Sequence, residues 1–302
     1  MARPGYAAHE ALVGPARARP QIWRLIAGLA LAATVAFALN TALYSALRLL
    51  DPGQWAPGES GAPGQVGNTP ASLLILLGSF GFVTFGVLLA ARTLQDRRVT
   101  DVIGVPALAV RQFWKVLRML VFIGLVAMVL PPYGDGDAVR IEQNLDPVLW
   151  LMLLPLSLLA LLLQTSAEEI LFRGYLQQSL AARFRHPLIW IGIPSVLFAF
   201  GHYLPAEAGE NAGIIMVWAA LFGVLMADLT ARAGTLGPAI AVHLANNFTA
   251  ILIVSAPGSL NGLSLLVLPF GLSDTEHMRA WLAVDFASMI VAWLGARLAI
   301  RA

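Results

Sequence analysis

The sequence predicts an all-α protein, a polytopic membrane helix bundle of about eight transmembrane helices around a polar cavity. Three observations predict it. Of the 302 residues, 58% are hydrophobic and only 12% are charged, whereas a soluble globular domain has about 25% charged residues. Eight apolar stretches approach the roughly 20 residues that a helix needs to cross a bilayer. A few ionisable side chains lie inside these stretches, where charge is costly and usually faces a protein interior or a wet cavity.

The eight stretches can be placed in chain order. The first is too long for the apolar core of a signal peptide, so we expect a retained membrane helix. The fourth is unusually long, and the polar residue Gln164 marks a place where it could break. We expect helices over residues 22–50, 71–92, 113–131, 147–183, 187–204, 212–231, 236–256 and 279–300.

The remaining segments are polar, or rich in Gly and Pro. Residues 1–21 are rich in Arg, Pro, Gly and Ala and are predicted to form a flexible basic arm ahead of a membrane-embedded helical domain over 22–302. The link 51–70 is predicted to be a loop. The run 260–271 is apolar but short and contains Pro269, so we expect an interfacial or re-entrant piece.

Composition also limits the classes of function. The net charge of +2 is too small to indicate binding to nucleic acid. The absence of cysteine removes disulfides, thiolate metal sites and a cysteine nucleophile. Lys and Arg concentrate in alternate loops, and this bias predicts that both termini and the Arg183–Arg185 turn are cytoplasmic. The lipid bilayer is thus an expected partner of the chain.

Glu168 and Glu169 lie side by side in the fourth apolar stretch. Glu169 and Arg173 are four residues apart and share one helix face, so they can form an ion pair. Glu168 points about 100° away on a helix. Its carboxylate can therefore stay unpaired in a low-dielectric site, which suits a general base. The alternative is a buried structural ion network of all three side chains.

His202 lies at the end of the fifth stretch. Glu168 precedes Arg185 by seventeen residues and His202 follows it by seventeen, so an antiparallel hairpin brings them to one depth. Together they could deprotonate a water molecule. Two alternatives stay open. The His202 imidazole could be satisfied by a backbone carbonyl or a neighbouring serine, or it could pair with Ser195 as a nucleophile, although no G-x-S-x-G motif is present.

His243 and Asn247 lie four residues apart in the seventh stretch, with Asn246 as a neighbouring alternative. Both side-chain types can donate hydrogen bonds from fixed positions to the oxyanion that develops on an attacked carbonyl. The alternative is a polar contact between helices, which is common for His and Asn in membranes. A metal-dependent hydrolase, with Glu168, His202 and His243 as ligands, is a further possibility.

These residues resemble the CAAX protease and bacteriocin-processing family, the bacterial relatives of the type II CAAX prenyl endopeptidases. The family has three motifs, each in its own helix, and the chain shows them in order within about residues 147–256, the predicted catalytic core. They are E-E-x-x-x-R at Glu168–Arg173, F-x-x-x-H at Phe198–His202 and H-x-x-x-N/D at His243–Asn247.

The resemblance implies a role for each motif residue. Glu168 and His202 would activate the attacking water, and His243 and Asn247 would form the oxyanion hole. The remaining motif residues would support the site, namely Glu169 and Arg173.

The resemblance also implies a conical, wet cavity inside the bundle and a glutamic-type intramembrane endopeptidase that works without a metal or other cofactor. The implied substrate is a membrane-associated peptide or protein, cleaved in a bacterial inner membrane. The alternative function is a non-catalytic membrane adaptor or bacteriocin-immunity protein on the same scaffold.

Overall fold

The structure is a computed structural model that describes residues 4–55, 67–130, 140–258 and 260–301. Residues 56–66 of the predicted loop 51–70 lie outside these ranges. The α-helices are α1 (Glu10–Ala16), α2 (Ile22–Leu50), α3 (Pro52–Trp55), α4 (Pro70–Gln95), α5 (Val99–Ile103), α6 (Pro106–Val129), α7 (Pro147–Glu169), α8 (Gln177–Arg183), α9 (Ile193–Phe200), α10 (Pro205–Ala208), α11 (Ala212–Ala233), α12 (Gly237–Asn247) and α13 (His277–Ile300). π-helical segments cover Ile170–Leu176, Leu188–Gly192 and Phe248–Ile253, and 3-10 segments cover Pro4–His9 and Gly209–Asn211.

The helices form an all-α, multi-pass membrane bundle, as the sequence predicts. Within the described ranges, six helical stretches are long and apolar enough to cross a membrane. They are Ile22–Leu50, Pro70–Gln95, Val99–Val129, Pro147–Arg183, Pro205–Ala233 and His277–Ile300. Two shorter apolar helices, Leu188–Phe200 and Gly237–Ile253, complete the eight predicted stretches. They are shorter than predicted because the chain turns after Phe200 and becomes extended after Ile253.

The fourth stretch does not break at Gln164. It runs as one helix from Pro147 to Arg183, because the Gln164 amide finds a partner on α12 and the backbone keeps its own hydrogen bonds. The helix departs from α geometry further along, in the π segment Ile170–Leu176. Segments of this kind are rare and frequently occur at functional sites.

The prediction of a flexible arm over residues 1–21 is wrong for residues 4–16, which are helical and packed. Leu12 of α1 is completely buried. The Tyr6 hydroxyl donates a hydrogen bond to Asp228 of α11 at 2.7 Å. The apolar residues of this segment form one face that packs against the rest of the bundle. The prediction rested on the Arg and Pro content of the segment, and composition does not show which residues share a face.

The apolar run 260–271 consists of turns and irregular backbone around one short strand. Its strand β3 (Leu266–Val267) pairs antiparallel with β1 (Glu142–Gln143) and parallel with β2 (Val254–Ser255), in the order β1-β3-β2. Strand β1 precedes α7, and β2 follows the π segment after α12. The sheet therefore ties together the ends of two helices that carry candidate site residues.

Helix α12 lies in the middle of the bundle, packed against α6, α7 and α11. Small residues allow these close contacts. A Cβ atom on Gly237 would collide with the carbonyl oxygen of Ala109 on α6, and one on Gly223 of α11 would lie 2.8 Å from the Cα of Ser195 on α9. Glycine at helix interfaces lets backbones approach closely in membrane proteins, and here it brings the helices of the candidate site together.

Candidate active site

The Glu169 carboxylate is the centre of a buried polar cluster. Its Oε1 atom accepts hydrogen bonds from Arg173 Nη1 at 2.9 Å and from His243 Nδ1 at 2.8 Å. Arg173 also donates to the carbonyl oxygen of Gly223 at 3.3 Å. All three side chains of the cluster are almost completely buried. Burial of charge is tolerated here because each charge meets an opposite charge or a hydrogen-bonding group.

Glu168 occupies a different environment from its neighbour. Its side chain is 15% exposed, whereas that of Glu169 is 0% exposed. The Glu168 Oε2 atom lies 3.5 Å from His243 Nε2, within ion-pair range but longer than a good hydrogen bond. Among the described residues, Glu168 Oε2 has no hydrogen-bond partner. Glu169 is thus paired with Arg173, as the spacing predicts, while the nearest charged partner of Glu168 among the described residues is His243.

His243 lies between the two carboxylates. Because Glu169 only accepts, the proton on this side belongs to His243 Nδ1, and Nε2 faces Glu168. The ring packs edge-on against Phe222 and Phe198, with centroid distances of 5.0 and 6.0 Å. These contacts hold the imidazole in one orientation. The geometry therefore couples His243 to the glutamates, a relationship that its predicted oxyanion role did not include.

His202 lies in the turn after α9. Its Nδ1 atom is 2.9 Å from the carbonyl oxygen of Phe198, so Nδ1 carries the proton and Nε2 is left as an acceptor. The backbone-carbonyl partner that the sequence left open is therefore present. Within the described residues, no hydrogen bond or ion pair joins His202 to Glu168. The imidazoles of His202 and His243 both contact the Phe198 ring, at 4.4 and 6.0 Å between centroids.

Asn247 belongs to a chain of three amides. Its Nδ2 atom donates to Gln164 Oε1 at 3.0 Å, and its Oδ1 atom accepts from Asn246 Nδ2 at 3.1 Å. Gln164 lies one turn before Glu168 on α7 and is buried. Sequence reasoning noted Gln164 only as a possible break. A single amide in an apolar stretch, four residues before the catalytic candidate, was the signal that could have placed it in the site.

Two alternative sites receive no support from the geometry. The Ser195 hydroxyl donates to the carbonyl of Ile191 at 2.7 Å, and no hydrogen bond joins Ser195 to His202 among the described residues. In the same part of the chain, no group of three or more His, Cys, Asp or Glu side chains is arranged to hold a metal ion. Glu168, His202 and His243 are thus not gathered around one point as a ligand set.

The site lies apart from the surface groove that the structure describes. This groove of about 380 Å³ is lined only by apolar side chains of α6 and of Leu130, which follows it. None of the candidate site residues lines it. The polar cluster is mostly closed, with Glu168 as its more accessible carboxylate. A polar cavity at the site remains a prediction.

Each helix that carries a candidate residue also contains a π-helical segment. Ile170–Leu176 follows Glu169 directly, and Phe248–Ile253 follows Asn247 directly. Leu188–Gly192 begins the helix that ends before His202. A π segment adds a residue to a turn and re-aims the side chains beside it, which explains its frequent occurrence at functional sites.

Comparisons with known proteins match the part of the chain that contains these helices. Residues 149–249 match the model of a family described as type II CAAX prenyl endopeptidase Rce1-like. The uncharacterized protein YyaK of Bacillus subtilis (strain 168) is 28% identical over 148 residues, which are 48% of this chain and 46% of that relative. The match thus spans about half the length of each protein. No solved structure is significantly similar to the chain. The family match therefore covers the part of the chain that holds every candidate residue from Glu168 to Asn247.

Proposed function

We propose that this chain is an intramembrane endopeptidase that hydrolyses a peptide bond of a membrane-associated peptide or protein. One observation carries the proposal. The Glu168 side chain is partly exposed, and its buried Oε2 atom has no hydrogen-bond partner among the described residues. This atom lies 3.5 Å from Nε2 of His243, which the buried Glu169 carboxylate holds in place. The match to a family of endopeptidases supports the same reaction class.

Glu168 and His202 act as the base in this proposal. An available carboxylate oxygen on Glu168 accepts a proton from a water molecule, and the oxygen of that water attacks the scissile carbonyl. His202 Nε2 is left as an acceptor by the bond from Nδ1 to Phe198, so it can share the proton. The proton then passes to the leaving amine, and the products are a carboxylic acid and an amine. A general base and acid of this kind contribute roughly 10²- to 10⁴-fold to a rate.

Asn247 and His243 stabilise the oxyanion. Asn247 Nδ2 has two protons, and Gln164 engages one of them, so the second can point to the substrate. His243 can donate from Nε2 when it is protonated between the two glutamates. Loss of one oxyanion donor typically costs about 10²- to 10³-fold in kcat.

Glu169 and Arg173 support the site from behind. Their ion pair fixes the proton on His243 Nδ1 and holds the ring, in the way that outer carboxylates orient catalytic histidines. The proposed steps use only side chains and water. The surrounding medium is the lipid bilayer, in the inner membrane of a bacterium, with the Arg183–Arg185 turn on the cytoplasmic side.

The substitution Glu168→Gln tests the proposal, because it removes the base while keeping the shape of the side chain. The purified protein in lipid nanodiscs is given a quenched fluorescent peptide that ends in a farnesylated C-a-a-X box, the substrate class in the family name. The same peptide without the farnesyl group is the second probe. We expect the wild type to cleave the peptide, and we expect the cleavage rate of Glu168→Gln to be at least 10²-fold lower. Equal cleavage of both peptides by the two proteins would contradict the proposed reaction at Glu168. No cleavage of either peptide by the wild type would favour a non-catalytic adaptor.

A further inference from the structure

Gln164 is a buried amide that directly follows the long apolar run of α7. Its side chain is 6% exposed, and it lies four residues before Glu168 on the same helix face. An amide in such surroundings is costly unless it is hydrogen-bonded. Its partner is Asn247, whose Nδ2 atom donates to Gln164 Oε1 at 3.0 Å.

The hydrogen bonds on Asn247 couple the orientation of its amide to the amides of Gln164 and Asn246. A carbonyl oxygen only accepts, so Gln164 Oε1 requires the nitrogen of Asn247 on its side. Asn246 Nδ2 only donates, so it requires the oxygen of Asn247 on the other side. Flipping the Asn247 amide while Gln164 and Asn246 keep their orientation would place oxygen against oxygen and nitrogen against nitrogen. Both bonds would then be lost in a low-dielectric interior, where unpaired polar groups are costly.

The orientation of this amide decides whether Asn247 can serve the reaction. With the nitrogen turned toward α7, its second proton is available to a developing oxyanion. With the amide flipped, an oxygen would face the same charge and repel it. Asn247 alone does not determine the choice, because the two orientations have nearly the same shape.

We propose that Gln164 is a positioning residue that orients Asn247 for oxyanion stabilisation, an inference that rests on the proposed peptidase function. Gln164 and Glu168 lie one turn apart on α7, about 6 Å along the axis. The base and the anchor of the oxyanion donor are therefore carried by a single rigid helix. The hydrogen bond from Asn247 to Gln164 therefore ties the oxyanion donor on α12 to the helix that carries the base.

The experiment is a double-mutant cycle on kcat, with the nanodisc assay and the farnesylated peptide as probe. Gln164→Met keeps the volume and removes the acceptor. It is expected to lower kcat about 10- to 100-fold with little change in KM, because a misplaced group loses transition-state contacts rather than ground-state binding. Asn247→Ala is expected to lower kcat about 10²- to 10³-fold. The double variant is expected to match Asn247→Ala alone, because Gln164 has no further effect once its target is gone.

Two further variants make the test specific. Gln95→Met is the same chemical change at another buried glutamine, on α4 and bonded to Ser179, and it should leave kcat unchanged. Asn246→Ala removes the other bond that orients Asn247 and should also lower kcat without adding to the effect of Asn247→Ala. This second variant decides the question if Gln164→Met does not fold, as judged by its thermal unfolding in detergent.

The outcomes separate this inference from the proposed function. Wild-type kcat in a folded Gln164→Met, or losses that multiply in the double variant, would overturn the positioning role while Glu168→Gln remains inactive. Equal cleavage by wild type and Glu168→Gln would overturn the peptidase and the role of Gln164 with it. Loss in Gln164→Met and in Asn246→Ala, with no additional loss beyond Asn247→Ala, supports the inference.

Discussion

His243 Nδ1 lies 2.8 Å from Glu169 Oε1, the same oxygen atom that accepts from Arg173. One carboxylate oxygen therefore joins α12 to the π segment that follows α7. The negative charge on Glu169 therefore stabilises both the guanidinium of Arg173 and the N–H group of the His243 imidazole. This sharing makes Glu169 a structural residue with consequences that can be measured.

Glu169→Gln is expected to destabilise the protein by roughly 3–5 kcal/mol, because it leaves the buried Arg173 without its counter-ion. Glu168→Gln is the matched control, since it makes the same change on a carboxylate that is more exposed and holds no arginine. Thermal unfolding in detergent compares the two. Equal stability of the two variants would show that the ion pair contributes little.

Packing of the N-terminal segment is expected to weaken in acid. Burial lowers the pKa of His9 from 6.5 to about 4, so the unfolded segment binds a proton more readily than the packed one. Stability is then fully present above pH 6.5, falls as the pH drops below 6.5 and reaches its full loss near pH 4, a difference of roughly 3 kcal/mol. Hydrogen exchange of the backbone amides of residues 4–16 between pH 7 and pH 4 measures this loss of stability. His9→Phe should remove the pH dependence, and an unchanged profile in that variant would assign it elsewhere.

The same segment is held by the hydrogen bond from Tyr6 to Asp228. Asp228 also accepts from Arg232 and from the indole of Trp293. Tyr6→Phe keeps the ring and removes one hydrogen bond to a charged group, which should cost about 1.5–3 kcal/mol. Limited proteolysis before α2 should become faster in Tyr6→Phe. A rate equal to that of the wild type would mean that ring packing alone holds the segment.

Gly237→Ala is expected to destabilise the bundle, because the added Cβ atom meets the carbonyl oxygen of Ala109 on the neighbouring helix. Overpacking of this kind costs about 1–3 kcal/mol or more. Gly213→Ala is the control, since nothing lies within 4 Å of a Cβ atom there, and alanine is favoured over glycine in a helix by about 0.5–1 kcal/mol. Thermal unfolding of both variants should therefore shift in opposite directions.

The parts of the fold that depend on local properties could be predicted from the sequence. Apolar length identifies the membrane stretches, since a bilayer sets the number of residues that a helix needs. Four-residue spacing identifies the Glu169–Arg173 pair, because helix geometry puts both side chains on one face. The order of the three motifs indicates a family, and the model of that family matches residues 149–249 of the chain.

The rest depends on contacts between distant segments. Residues 4–16 pack because α11 and the helix around Trp190 offer them a surface, and that surface is far away in sequence. The π segment after Glu169 also has a partner that is distant in sequence. Arg97, in the connection between α4 and α5, donates a hydrogen bond to the carbonyl oxygen of Gly174 in that segment. Strands of two residues have no sequence pattern of their own. The partnership of Gln164 and Asn247 spans 83 positions, so spacing along one helix could not reveal it.

The short β-sheet has a mechanical consequence for how a substrate could enter. Strands β1 and β2 are both held by β3, so the start of α7 and the end of the helix that contains α12 cannot separate at that end without breaking backbone hydrogen bonds. The sheet therefore acts as a fixed point about which the two helices could pivot. Any gap that admits a polypeptide between these two helices would therefore have to open at their opposite ends, where Arg183 and Gly237 lie.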